Sequence, residues 1–301
     1  GTPVRLYVYD VNKDTTQTRK LLKNPELKKM DLVIGLLYHR NFQIVSGFCL
    51  KNHIPIVNPV SERESILTSN PMVIKTVPST DSQIGELAAI LSKEYQNQHL
   101  LIVKDPQFVN REMAENLKKA LAENGVETRI VNTIDDEFTF LSKEKKNVIV
   151  VFSENRVFAL ELFTKLNKVR NDFNMTLFGL PRWDKLEAIE PEYLVNLRNH
   201  QMVPSFVDYN EPEVKKFVAR FQELYKTDPD NLAFQGFDIA AYFISALRTY
   251  GKTLDHCIST YHIRSLQTHF EFEQTKGNGF ENHHWEIFMY ENYRMKRVKS
   301  E

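Results

Sequence analysis

The sequence has little glycine and almost no cysteine. Only 10 of its 301 residues are glycine, about half of the usual ~7%, which argues against glycine-rich cofactor loops and long flexible linkers. The two cysteines, Cys49 and Cys257, exclude a disulfide framework and leave a single bridge open. Cys49 lies in an apolar helical pattern and is interpreted as a small core residue. We expect both thiols to be free.

The chain also lacks an excess of charge and a long hydrophobic run. Lysine and arginine number 39, as do aspartate and glutamate, so the formal net charge is zero. The chain therefore lacks the excess of positive charge that is typical of nucleic-acid-binding proteins, and we expect no nucleic-acid partner. No apolar run approaches the roughly 20 residues that cross a bilayer, so we expect no transmembrane segment in this chain. The ordinary globular composition and the length favour about two domains.

Motifs for catalysis and metal binding are missing as well. The sequence contains no G-x-S-x-G elbow, no P-loop and no G-x-G-x-x-G turn. Histidines surround Cys257, and His283 and His284 are adjacent, but none of them has the spacing of metal ligands. We therefore expect a protein that is not an enzyme and holds neither a cofactor nor a metal.

What the chain does contain is an alternation of strand-like and helix-like segments. The predicted strands are residues 4–10, 31–35, 54–59, 73–77, 100–103, 128–132, 147–152 and 175–179. The helices predicted between them are residues 16–27, 42–52, 82–95, 110–124 and 153–166. This rhythm predicts mostly parallel sheets with helices on both faces. Two helices follow at 213–225 and 233–250, then a hairpin of residues 270–273 and 285–290, and a last strand at 293–298.

Four segments, in this order, carry a resemblance to a known family. Residues 31–38 look like a strand that ends in Ile-Gly-Pro, with Leu36 in place of proline. Residues 54–59 look like an I-P-x-I-x-P strand, and residues 77–83 like a P-S-D-x-x-Q crossover. Residues 225–251 look like a helix with a Gly-Tyr-Asp motif, here Phe237 and Asp238. Together they resemble the type I periplasmic solute-binding proteins, in particular the leucine/isoleucine/valine-binding proteins and related receptor domains.

The resemblance implies a two-lobed α/β fold with three hinge crossings. Lobe 1 would contain residues 1–78 and 207–261, and lobe 2 residues 79–206 and 262–301. The family's first strand and helix have no counterpart here, and that strand lies inside the lobe 1 sheet. Its absence leaves three explanations open: a shortened chain, an N-terminal piece cut away that stays as a separate fragment, or a strand swapped from a second copy in a dimer.

The resemblance also implies that a small ligand of unknown identity binds in the cleft between the lobes, at the carboxyl ends of strands. The candidate ligand-binding residues carried over from lobe 1 are Tyr38, His39, Arg40, Asn41, Asn58, Ser61 and Asp238. Those carried over from lobe 2 are Phe108, Ser153, Asn155, Arg182 and Trp183. Five of them have a structural alternative: Tyr38 and His39 cap a helix, Trp183 packs in the protein, Arg182 pairs with a nearby carboxylate, and Asp238 organises a crossing.

Arg182 stands where branched-chain amino-acid binders carry a carboxylate for the ligand amine. A simple amino acid is therefore less favoured than an anionic or cell-wall-derived ligand such as a muropeptide. The nearest likeness is to binding-protein-like domains of LysM-containing envelope proteins of Bacteroidetes, with a more distant one to lipoprotein activators of penicillin-binding proteins. These likenesses place the chain in the periplasm or cell envelope. The alternative function is a scaffold with a degenerate cleft that regulates a peptidoglycan-synthesis partner.

Overall fold

The computed structural model describes residues 3–107, 112–135, 138–153, 155–179 and 189–298. The chain divides into two compact units. Unit 1 comprises Gly1–Ser79 and Pro204–His284, and unit 2 comprises Thr80–Val203 and Trp285–Glu301. Each unit is built on one mixed sheet with helices. The predicted α/β class with two sheets is therefore confirmed.

The regular elements follow one another in this order. The elements up to residue 131 are α1 (Thr15–Leu21), β1 (Val33–Ile34), α2 (His39–Asn52), β2 (Ile56–Asn58), β3 (Val73–Lys75), α3 (Thr80–Tyr95), β4 (His99–Lys104), α4 (Glu112–Glu123) and β5 (Thr128–Val131). They are followed by β6 (Asn147–Phe152), α5 (Arg156–Lys168), β7 (Met175–Gly179), α6 (Pro191–Asn196), β8 (Asn199–Val203), α7 (Pro212–Tyr225) and α8 (Asn231–Tyr250). The last are α9 (Leu254–Cys257), β9 (Phe272–Gln274), β10 (Phe280–Asn282), β11 (Glu286–Glu291) and β12 (Arg294–Arg297). Short 3-10 helices cover Pro25–Lys29, Glu64–Leu67, Gly251–Thr253 and Ile258–Thr260.

Unit 1 has a five-stranded sheet in the order β1-β2-β3-β10-β9. The first four strands are parallel, and β9 is antiparallel to β10. Successive residues of β2 point to opposite faces of the sheet. Ile56 joins a core cluster with Phe42 and Cys49 of α2, whereas Val57 joins a second cluster with Tyr242 of α8. Helices thus cover both faces, and the apolar pattern of β2 follows from burial on both sides.

Unit 2 has a seven-stranded sheet in the order β12-β11-β8-β7-β6-β4-β5. Strands β5, β4, β6, β7 and β8 are parallel, and β11 and β12 are antiparallel additions at the β8 side. All six residues of β6 are buried, as expected for a central parallel strand. On α4 the apolar stripe of Met113, Leu117 and Leu121 is buried in the same core. The carboxyl ends of the parallel strands share one edge of the sheet.

The predicted strand over residues 4–10 does not form. Residues 3–11 have no regular structure, and Val4, Leu6 and Val8 are 58%, 82% and 82% exposed. Alternating apolar residues predict a strand only where a neighbour can complete the hydrogen-bond ladder. Within the described chain, β1 pairs on one side only, with β2, and segment 3–11 joins no sheet.

The predicted hairpin and the third crossing are also corrected. Residues 272–274 pair with residues 280–282 around a turn at Asn278, not with residues 285–290. Strand β11 instead pairs with β8 and β12 in the sheet of unit 2. Because β10 pairs with β3, residues 262–284 belong to unit 1, and the third boundary falls after residue 284 rather than 261. The other two boundaries lie at 79/80 and 203/204, within three residues of the predicted positions.

Candidate functional site

In unit 1, the loop after β1 leads directly into α2. Tyr38 is the N-cap residue of α2, and its side chain makes no capping hydrogen bond with the described residues. Its ring is 40% exposed and lies 5.3 Å from the ammonium nitrogen of Lys13. His39 is half-buried and Arg40 is exposed in the first turn of the helix. An open helix amino terminus beside an arginine, a lysine and an aromatic face favours a negatively charged group.

Asn41 lies in the same turn but has another role. Its side chain is 1% exposed, and its amide nitrogen donates to Thr18 Oγ1 at 2.9 Å and to the carbonyl of Asn12 at 3.2 Å. These bonds tie α1 to α2. Asn41 therefore holds the amino terminus of α2 in place rather than offering a free polar group.

The loop after β2 begins at the same edge of the sheet as the loop that leads into α2, because β1 and β2 are parallel neighbours. Asn58 is 3% exposed, and its Oδ1 accepts from the backbone N–H groups of Val60 (3.1 Å) and Ser61 (2.7 Å). Such a local turn is a usual role for asparagine. Gln235 of α8 donates to the carbonyl of Pro59 at 2.7 Å. Ser61 is half-buried and accepts from the N–H of Arg63.

Asp238 of α8 is 1% exposed, and its carboxylate accepts three backbone N–H bonds. The donors are Leu266 and Gln267 at 2.8 Å and Thr268 at 2.9 Å. Burial raises the pKa of this carboxyl, and the three bonds oppose that rise because they favour the ionised form. The arrangement fits the structural alternative for Asp238, which is to organise the segment that precedes β9.

In unit 2, two polar residues meet where β4 and β6 end. Ser153 is fully buried, and its hydroxyl donates to Asp105 Oδ2 at 2.9 Å. Asp105 Oδ1 accepts from the N–H of Gln107 at 2.8 Å. Asn155 is the N-cap of α5 and accepts from the N–H groups of Val157 and Phe158. Ser153 and Asn155 are thus brought together, and both also shape the loop between β6 and α5.

A small pocket lies beside these residues, between the first turn of α3 and the carboxyl ends of β6, β7 and β8. Its described lining residues are Gln83, Ile84, Leu87, Val150, Val151, Phe152, Phe178, Gly179 and Met202. The lining is largely apolar, with the amide of Gln83 as its polar group. The interior admits about one water molecule. It therefore suits a methyl group or a water, and not a whole amino acid.

Three predicted ligand-binding residues, Phe108, Arg182 and Trp183, lie outside the described residues. Conversely, Asp105 and Gln83 line the strand ends of unit 2 without having been predicted there. Their positions in the sequence could have indicated them, because Asp105 directly follows β4 and Gln83 lies in the first turn of α3. In the described ranges, no three His, Cys, Asp or Glu side chains come together as a metal site. None of the helices described is long and apolar enough to span a bilayer.

Comparison with known proteins agrees with this architecture. The chain is similar to a branched-chain amino acid ABC transporter protein of Rhodospirillum rubrum, with 12% identity, coverage of 98% of this chain and 88% of that one, and a TM-score of 0.71. It is similar to the periplasmic ligand-binding protein of a branched-chain amino acid ABC transporter from Burkholderia xenovorans, with 11% identity, 99% and 84% coverage and a TM-score of 0.64. At these identities the likeness shows a shared fold.

A further similar structure is LpoA of Haemophilus influenzae, with 12% identity and a TM-score of 0.60. That match covers 97% of this chain and 52% of LpoA, so the chain spans about half the length of that protein.

Among curated proteins, no sequence matches this chain significantly. The family model described as periplasmic binding protein matches residues 1–259. Members of that family are extracytoplasmic solute-binding proteins that are normally not enzymes. The chain belongs to the periplasmic binding protein family.

Proposed function

We propose that this chain binds a small ligand without catalysing a reaction, using residues at the carboxyl ends of the strands in both units. The observation that carries the proposal is the open amino terminus of α2, where Tyr38 and Arg40 are exposed and no described side chain caps the helix. In unit 2, the loop held by Ser153 and Asn155 follows the carboxyl end of β6. The predicted residues Phe108, Arg182 and Trp183 belong to the same proposal.

We propose an anionic ligand, with a cell-wall fragment such as a muropeptide as the leading class. Lys13 lies over the ring of Tyr38, and Arg40 lies in the first turn of α2, where the helix terminus adds a partial positive charge. Guanidinium groups bind carboxylates in a bidentate manner, and an aromatic face stacks on a sugar ring. Asp238, which would attract a ligand amine, is already occupied by three backbone donors. This environment therefore favours a carboxylate over an amine.

The test uses muramyl dipeptide as the probe and thermal unfolding as the readout. Binding to the folded state alone raises the midpoint of unfolding, by an amount that grows with the logarithm of the ligand concentration once that exceeds Kd. We expect muramyl dipeptide to raise the midpoint of the wild type, Arg40→Ala to lose most of that shift, and Arg19→Ala on α1 to keep it. An equal shift in both variants would show that the α2 terminus is not the site. No shift in the wild type would remove muropeptides as the ligand class.

A second function is carried by a different observation. The described pocket of unit 2 admits about one water molecule and is too small for an amino acid, which favours a degenerate site. Structural similarity to LpoA over nearly the whole chain also accords with a role in the cell envelope. The ligand-binding proposal makes the chain the binding or sensing domain of a larger, LysM-type cell-envelope protein. Under the alternative, the chain is a scaffold with a degenerate cleft that contacts an envelope protein or peptidoglycan and regulates a peptidoglycan-synthesis partner. It would change the rate of a purified peptidoglycan synthase in the absence of any small ligand, and Arg40→Ala would not abolish that effect.

A further inference from the structure

Unit 1 has a groove whose lining contains none of the residues proposed above for ligand recognition. We call it the α7–α8 groove, lined by α7, α8 and residues 264–266. Its volume of about 440 Å³ falls within the range of functional binding pockets. Phe217 and Phe237 form an aromatic part of the lining, with ring centroids 4.9 Å apart. Phe237 is 46% exposed, so this aromatic surface is accessible to another molecule.

The aromatic surface continues along α7 beyond the groove. Phe217 contacts Phe221 at a centroid distance of 5.9 Å, and Phe221 contacts Tyr225 at 4.6 Å. Tyr225 is 64% exposed and the adjacent Leu224 is 56% exposed. Singly exposed apolar residues are ordinary, but a continuous row that leads out of a groove is typical of an interaction surface. The row is longer than a small molecule needs, and it fits an extended or helical peptide.

The charges on the groove point to the chemistry of the partner. Lys216, Arg220 and Arg264 line the groove with a single carboxylate, Glu213. Glu213 pairs with Lys216, while Arg220 and Arg264 pair with Glu223 and Glu211, which are not part of the described lining. The side chains of the three cations are 64% to 72% exposed. Exposed pairs of this kind contribute little stability and exchange readily with another carboxylate.

One wall of the groove is held in place before any partner binds. Residues 264–266 form this wall, and the N–H of Leu266 donates to the buried carboxylate of Asp238 at 2.8 Å. The hydroxyl of Ser265 is buried and has no hydrogen-bond partner within the described residues. A preformed wall lowers the entropy cost of binding.

We propose that the α7–α8 groove binds an acidic peptide segment of a partner protein, with an apolar side chain of that segment placed against Phe217 and Phe237. Carboxylates that flank the anchor would meet Lys216, Arg220 and Arg264, and further apolar side chains would lie along Phe221 and Tyr225. This proposal does not depend on ligand recognition at the strand ends. It rests on the aromatic lining, the exposed row and the charge of the lining.

The test is fluorescence anisotropy at low salt with two labelled synthetic peptides. Both contain phenylalanine and leucine at helical spacing, one between glutamates and the other between lysines. We expect the glutamate peptide to bind the full chain saturably and the lysine peptide not to bind. Lys216→Glu with Arg220→Glu should weaken binding by about tenfold or more, which corresponds to about 1.4 kcal/mol. Phe237→Ser should weaken it as well.

The matched control is Lys28→Glu with Lys29→Glu, which makes the same change of net charge on exposed residues of unit 1. It should bind the glutamate peptide like the wild type. If the control and the groove variant weakened binding of the glutamate peptide equally, binding would reflect only long-range attraction between the peptide and the net charge of the chain, and this result would overturn the proposal. So would the absence of saturable binding, or equal binding of the lysine peptide. Self-association of the wild type that Phe237→Ser abolishes would assign the groove to a second copy instead.

Discussion

A buried ion pair holds the segment through which the chain leaves unit 1. Lys75 at the end of β3 is fully buried, and its ammonium nitrogen lies 2.9 Å from Glu281 Oε1 on β10. The ammonium group also donates to the carbonyl of Val77, and the same carboxylate oxygen accepts from the N–H of Ser79. Both charges are removed from water, so each depends on the other.

Removing one partner should cost far more than removing both. Breaking a buried pair by a single substitution typically costs about 3–5 kcal/mol, because the remaining charge is unpaired. We expect about 3 kcal/mol for Glu281→Gln, whose amide oxygen still accepts from Ser79, and a similar loss for Lys75→Met. The double variant contains neither charge and loses only the hydrogen bond from Lys75 to the carbonyl of Val77, so its free energy of unfolding should fall by about 1–2 kcal/mol. Lys51→Met, at an exposed helix position, should change stability by less than about 0.5 kcal/mol.

The pH dependence of Glu281→Gln has a defined sign. Burial lowers the pKa of Lys75 from its ordinary 10.5, and Glu281 opposes that shift. Without Glu281 the folded-state pKa falls further, so the unfolded chain binds more protons between that pKa and 10.5. The wild-type pKa also lies below 10.5, so the cost of the variant should shrink as the pH rises from the folded-state pKa of the variant to that of the wild type. Urea unfolding of all variants measures these values. Additive losses, or single losses below about 1 kcal/mol, would refute the buried pair.

Three further perturbations test other parts of the structure. Burial lowers the pKa of His200 from 6.5 to about 4, so the unfolded state binds more protons than the folded state between these pH values. Up to about 3 kcal/mol of stability should therefore be lost as the pH falls from 6.5 to 4. His200→Gln should flatten the dependence of the unfolding free energy on pH in this range, and an unchanged slope would contradict the burial. Burial raises the pKa of the Cys49 thiol to about 12, so a thiol reagent should label the half-buried Cys257 in the native protein and Cys49 only after unfolding, as peptide mass spectrometry would show. Leu6→Ser should change the free energy of unfolding by less than about 0.5 kcal/mol, because Leu6 is 82% exposed; a loss above about 1 kcal/mol would mean that a second copy covers it in solution.

The sequence predicts best where burial dominates the pattern. Strand β6 is apolar throughout, and α4 carries a clear helical stripe, so both were predicted at nearly the observed positions. Residues 4–10 have an equally good strand pattern, but a strand also requires a neighbour, which a local pattern does not specify. The pairing of β10 with β3 and of β11 with β8 is non-local for the same reason.

The candidate site was predictable in position more than in role. The family resemblance located Asn41, Asn58 and Ser153 in segments that follow strands, and the structure has them after β1, β2 and β6. Asn41 and Ser153 have their roles through partners distant in sequence, Thr18 and Asp105, whereas Asn58 serves a local turn. Lys75 shows the same limit, since a lysine in an apolar strand gives no indication that Glu281 lies 206 residues further on. Short polar side chains serve turns and ties as readily as ligands.

The central claim is that the chain binds a small ligand, and native mass spectrometry of the gently purified protein tests it most directly. The account predicts a small-molecule adduct that is lost on denaturation and whose mass fits an anionic compound. It also predicts that Arg40→Ala, purified in the same way, carries less of this adduct than Arg19→Ala does. An adduct-free spectrum of the wild type, or equal occupancy in the two variants, would contradict the account.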